Sequence, residues 1–127
     1  MENPYADEAR ERWGDTAAYR QSQARTATYT PEDWERIKAE GAEVMRRLVE
    51  ELRAGTPAQS AAAMDLAEEH RAQITRWFYD CGYDIHRGLA DMYVADPRFT
   101  ATYEDQAPGL ARYLHDAIHA NAARAGA

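Results

Sequence analysis

Residues 30–57 read TPEDWERIKAEGAEVMRRLVEELRAGTP, and this stretch decides the fold class. Thr30 is a helix-capping residue, Pro31 stands where a first helical position tolerates proline, and Glu32 and Asp33 put acid in the first turn. Asp33 occupies the place where a capping box prefers Glu. Trp34, Ile37, Gly41, Val44/Met45, Leu48 and Leu52 then recur at intervals of three and four, which is one face of a helix. Gly55-Thr56-Pro57 ends it. The spacing predicts one long amphipathic helix that places Met45, Leu48 and Leu52 in a core.

The same reading extends downstream. Ser60 restarts a helix, and Ala63, Ala67, His70, Ile74, Trp77/Phe78 and Cys81 follow at four, three, four, three and four. Gly82 is expected to break or bend that helix just after Cys81. Ile85, Leu89 and Met92/Tyr93 carry a helical period to Ala95. Asp96-Pro97 starts a short segment through Tyr103. Ala107-Pro108-Gly109 opens a last helix with Leu110, Leu114, Ala117/Ile118 and Asn121 on one face. No alternating pattern of useful length suggests a strand. The fold class is all-α, with about five to seven helices.

Upstream the chain changes character. From Glu2 to Arg36 there is no Val, Ile, Leu, Met or Phe. Thr16 to Ala27 has fair helix propensity but no aliphatic stripe, and burial of such a stripe is what stabilises most helices. Two readings stay open: a frayed extension, or a lid that folds on a ligand and uses its aromatic rings as contacts. The expected division is a weakly ordered lid over residues 1–30 and a helical core over 31–127.

Composition sets the outer limits. At 127 residues the chain has room for one domain. A net charge of −7 argues against nucleic acid as the main partner. Leu, Ile, Val and Phe together supply only 15 residues, about 12% of the chain, where a globular core ordinarily wants more than ~20%. Three Trp, eight Tyr and 26 Ala must compensate. No apolar run is long enough for a membrane span, and the acidic, polar N-terminus is not a signal peptide. A single cysteine excludes an internal disulfide and suits a reducing cytoplasm.

Few residues invite chemistry. Cys81 falls among Trp77, Phe78, Tyr79 and Tyr83, and it reads either as a small buried apolar residue or as a nucleophile. Asp80 and Asp84 would raise its pKa, whereas Arg76, Arg87 and His86 would lower it. His70 shares the inward face about three turns earlier, too far along a straight helix to pair with Cys81. It reads as a buried, hydrogen-bonded histidine. A haem reading fails for lack of aliphatic lining. His115 and His119 have a spacing that can bind metal, but a solvated helix face explains them, so no metal and no cofactor is expected. No nucleotide loop, metalloprotease motif or nucleophile elbow occurs, and no enzyme activity is expected. The tyrosine-rich inventory fits a half-wet binding surface for a flat, peptide-like ligand.

The order of motifs resembles one family. Arg10-Glu-Arg-Trp-Gly-Asp-Thr16, Tyr19-Arg-Gln-Ser22, Tyr29 with Glu32-Asp-Trp34, and Met64-Asp-Leu-Ala-Glu-Glu-His-Arg71 come first. Tyr79-Asp-Cys-Gly-Tyr83, Met92-Tyr-Val-Ala-Asp-Pro-Arg-Phe-Thr100, and Pro108-Gly-Leu110 with Asp116-Ala-Ile118 complete it. This series is similar to the TipA-type antibiotic-recognition domain, the drug-binding part of thiostrepton-induced, MerR-type regulators. The resemblance implies a globin-like helical fold without haem and binding of thiopeptides, macrocycles rich in thiazole and oxazole rings with dehydroalanine tails. It also implies N-terminal helices that are disordered without drug and close over it. In thiostrepton-responsive members a cysteine of the Tyr-Asp-Cys-Gly-Tyr segment can add to a dehydroalanine, and Cys81 holds that position. The family's winged helix-turn-helix and coiled coil are not in this sequence, so promoter binding by this chain alone is not expected.

The resulting expectation is a monomeric, cytoplasmic drug binder that sequesters a thiopeptide in a groove between the N-terminal lid and the helix running from Ser60 to Cys81. Trp13, Tyr19 and Trp77 would stack on the ligand. Tyr79, Tyr83 and Asp84 would supply walls and polar contacts, with Asp80 and His70 as further contacts, and Cys81 would capture covalently. The alternative is a non-covalent binder of another antibiotic peptide, such as albicidin, in which Cys81 only packs.

Overall fold

The computed structural model describes residues 16–127. Among them are six α-helices and no strand: α1 (Ala17–Thr26), α2 (Pro31–Arg53), α3 (Ala61–Trp77), α4 (Tyr83–Ala95), α5 (Pro97–Glu104) and α6 (Leu110–Arg124). The all-α expectation holds.

Local chemistry starts several of the helices. Thr30 Oγ1 accepts from Asp33 N, and Asp33 Oδ2 accepts from Thr30 N, so aspartate completes the capping box that opens α2. Ser60 caps α3 by accepting from Ala63 N, and Asp96 caps α5 by accepting from Arg98 N. At α6 the cap position is Gly109, at φ +89°, a left-handed conformation that glycine adopts without strain. Glu104 reaches from the end of α5 to accept from Gly109 N and Ala111 N, and these bonds hold its carboxyl below the usual range.

α6 is the central element. Leu110, Leu114, Ala117 and Ile118 lose all solvent contact and pack with Leu48 and Val44 of α2, Leu66 and Ala67 of α3, and Ala90 and Tyr93 of α4. Leu48 is core as expected. Met45 and Leu52 flank it, half-buried. The scarcity of aliphatic residues is met by alanine: Ala63, Ala67, Ala90, Ala117 and Ala122 are fully enclosed, and small side chains let helix axes approach closely. Gly41 serves the same end, because a Cβ there would meet Gln73 Nε2 at 3.3 Å. That amide donates to Ile37 O at 2.9 Å and ties α3 to α2.

α3 ends four residues before the sequence period suggested. Its last helical residue is Trp77, and Cys81 lies in the loop to α4. The end is made from afar. Arg25 Nη1 donates to Thr75 O at 2.6 Å, Tyr29 Oη donates to Trp77 O, and Cys81 N donates to Thr75 Oγ1 at 3.1 Å. Terminal carbonyls that a helix leaves unpaired are thus taken by side chains about fifty residues earlier. A guanidinium beside a helix C-terminus also complements its dipole.

Candidate functional site

α1 buries no residue fully. Polar latches and rings hold it and its connection to α2. Arg25 bridges to Asp80 at 3.3 Å, and Asp80 N donates to Gln21 Oε1 at 2.7 Å. Tyr29 packs edge-on against both Trp34 and Trp77, at centroid distances of 5.7 and 5.6 Å.

Beside this docked helix opens a mostly apolar cleft of about 450 Å³. Thr16, Ala18, Tyr19 and Ser22 form its α1 wall, Ile85, Gly88, Leu89 and Met92 of α4 form the facing wall, and Tyr79 joins them. Ile85 is 40% exposed, an unusual position for isoleucine that the cleft accounts for. The cleft therefore lies between α1 and α4. Against the helix before Cys81, where a groove was anticipated, α1 is latched by Arg25 and Gln21.

The expected contact residues separate accordingly. Tyr19 and Tyr79 line the cleft. Trp77 turns toward α2, where its Nε1 donates to Glu40 Oε1 at 3.1 Å. Asp80 is the latch for α1, and exposed Asp84 pairs with Arg87. Trp13 lies outside the described residues. Tyr83 belongs to a network centred on Glu68. Its hydroxyl donates to Glu68 Oε1 at 3.1 Å, its ring lies 4.2 Å beneath the Arg71 guanidinium, and Asn121 Nδ2 donates to the same carboxylate at 2.9 Å. The hydrogen bond from Arg71 is the main cause that brings Glu68 down to about 2.

Cys81 is 1% exposed. Arg71 Nη1 donates to its carbonyl at 2.8 Å. Burial pushes the thiol up to about 11, with Arg71 opposing and Glu68 assisting. The neighbours in sequence that were expected to decide the sign, Asp80, Asp84, Arg76, Arg87 and His86, do not decide it. The thiol is protonated at neutral pH and faces the interior, so any reaction at Sγ requires the loop before α4 to open.

His70 is buried and hydrogen-bonded, as read, but its partner is another histidine. His70 Nδ1 lies 2.8 Å from His86 Nε2. Burial lowers His70 to about 4 and His86 to about 3. A neutral His86 supplies no positive charge to the thiol. His115 and His119 also gain a member that their spacing could not show: Asp91 of α4 meets both imidazoles. Ile85, Leu89 and Met92 were read only as helix periodicity and Gly88 was not singled out, yet all four line the cleft.

Comparison with known proteins places this geometry in context. The TipAS antibiotic-recognition domain family matches residues 5–121. The HTH-type transcriptional activator TipA of Streptomyces coelicolor is 56% identical over 120 residues, which cover 94% of this chain and 47% of that protein. The HTH-type transcriptional activator mta of Bacillus subtilis is 36% identical over 90% of this chain and 43% of its own length. The chain thus spans about half the length of these relatives. Among solved structures, TipAS in complex with nosiheptide, from a thiopeptide antibiotic multidrug resistance system of Streptomyces lividans, superposes with a TM-score of 0.90. It is 54% identical, and the match covers 97% of this chain and 86% of that one. The antibiotic-binding domain of a TipA-class multidrug resistance transcriptional regulator gives a TM-score of 0.68 at 51% identity, over 74% of this chain and all of its own.

Proposed function

The chain belongs to the TipAS antibiotic-recognition domain family, and from that premise we propose that it binds thiopeptide-type macrocycles in the cleft between α1 and α4. The observation that carries this reading is the apolar cleft itself, walled by Tyr19, Tyr79, Ile85, Leu89 and Met92. It sits in a fold that superposes on a nosiheptide complex at 54% identity. Flat azole rings fit such a wall: they stack on tyrosine and bury against leucine and methionine without requiring buried charge.

Binding precedes any covalent step, because the cleft is open while Cys81 is enclosed. When the loop before α4 yields, the thiol adds across the C=C bond of a dehydroalanine. Sγ bonds to the β-carbon, the thiol proton is replaced through solvent by one delivered to the α-carbon, and nothing leaves. The adduct mass is the sum of the two partners. The chain acts by holding its ligand and needs no turnover. In a longer regulator the same event would act as the sensing step.

Calorimetric titration with nosiheptide tests the binding. A 1:1 isotherm that collapses in Leu89→Arg and weakens in Tyr19→Ala supports it, and the absence of binding by the wild-type chain refutes it. Intact mass after incubation with thiostrepton tests the capture separately. An adduct that persists in Cys81→Ala rules out Cys81 as the attachment point, and an unmodified wild-type chain that still binds leaves a non-covalent binder.

A further inference from the structure

We propose that Asp91, His115 and His119 form a binding site for one divalent transition-metal ion of the zinc class, bridging α4 and α6 outside the antibiotic cleft.

α6 sets His115 and His119 one turn apart, with ring centroids separated by 4.5 Å. α4 delivers Asp91 across the seam. Its Oδ1 lies 3.1 Å from His115 Nε2 and 2.8 Å from His119 Nε2. One donor atom from each residue falls within 4.8 Å of the others. A tetrahedral ion with ligands at about 2.0–2.2 Å holds its donors about 3.4 Å apart, so the three atoms close on an ion through small side-chain shifts.

The surroundings favour a cation. His115 Nδ1 lies 2.7 Å from Asp116 Oδ1, so a carboxylate stands behind the imidazole as it does behind ligating histidines generally. A neutral imidazole carries one N–H. If His115 gives it to Asp116, the lone pair on Nε2 faces the Asp91 carboxylate oxygen, and an ion between them resolves the conflict. The side chains of His115, His119 and Asp91 retain 17%, 36% and 63% of their exposure, so an ion can enter and water can complete its coordination. Two nitrogens and one oxygen suit zinc, cobalt or nickel better than calcium or magnesium.

The test uses tag-free chain stripped with chelator and titrated with zinc chloride and cobalt chloride at neutral pH. The expected result is one equivalent bound at micromolar concentration, with a raised melting temperature and visible cobalt bands that lack thiolate charge transfer. His119→Gln and Asp91→Asn, both surface changes that keep the helical circular dichroism, should weaken binding at least about tenfold, and Asp116→Asn should weaken it less. Three outcomes overturn the proposal. They are a thiolate band assigning the ion to Cys81, unchanged affinity in His119→Gln, and histidine ring signals that respond to pH but not to zinc.

Discussion

His70 of α3 stacks on His86 of α4, with ring centroids 5.1 Å apart and Nδ1 of the first 2.8 Å from Nε2 of the second. His86 Nδ1 is buried and has no hydrogen-bond partner among the described residues. The tautomer that leaves no orphaned N–H has His86 donating from Nε2, with a bare lone pair on Nδ1. Both rings are neutral, lowered to about 4 and about 3 mainly by burial. In the unfolded chain they would titrate near 6.5. As pH falls below 6.5 the unfolded state takes up protons that the folded state refuses, so stability is lost on acidification. The slope is at most about 1.4 kcal/mol per pH unit for each ring. Loss from Glu68 begins only below its ordinary value of 4.5, so the interval above that value isolates the histidines. Urea unfolding at about pH 5 and about pH 7 should show this loss, and His86→Leu should reduce it to about half, leaving the share of His70. A pH-independent midpoint across that interval would contradict the neutral pair.

Cys81 should be inert until its loop opens. With the thiol at about 11 and 1% exposed, alkylation by iodoacetamide at neutral pH should run at least about tenfold slower in the folded chain than in urea. Equal rates would mean that the loop is open in the free protein.

Arg25 ties α1 to the body twice, through Thr75 O and Asp80. Arg25→Ala should weaken nosiheptide binding several-fold while lowering global stability by no more than about 1 kcal/mol, since one exposed ion pair and one hydrogen bond are lost. Paired calorimetry and urea unfolding separate the two effects.

Leu114 is fully enclosed at the centre of α6. Leu114→Ala should cost about 2–5 kcal/mol, measured as a drop in the urea midpoint at unchanged m-value. A cost under about 1 kcal/mol would mean that the alanine-rich surroundings collapse to fill the space.

The helices were legible where the period and the start signal lie in one stretch, as at Thr30–Leu52 and Leu110–Asn121. Cys81 shows where that reading stops. It falls in phase with Ile74 and Trp77, and no Gly or Pro stands at Phe78 or Tyr79 to break the pattern. The break comes from Arg25 and Tyr29, which take carbonyls that another turn of helix would need. Such contacts close over about fifty residues and leave no local trace. The His70–His86 and Asp91–His119 pairs were hidden for the same reason, being 16 and 28 residues apart on different helices. Tyr19 and Tyr79, singled out in the sequence for their polar-tipped rings, both line the cleft, half-buried. The place of Ile85 and Leu89 in that cleft was not legible, because an aliphatic residue lining a cleft and one in a core look alike in sequence.

α1 contributes one wall of the cleft while burying no residue of its own. The apolar core centred on α6 draws none of its buried residues from α1. If the cleft holds the ligand as proposed, heritable changes at Ala18, Tyr19 or Ser22 would alter which compounds are held while leaving that core intact. On that reading, a lineage meeting new antibiotics would have, in that one short helix, a place to vary at small risk.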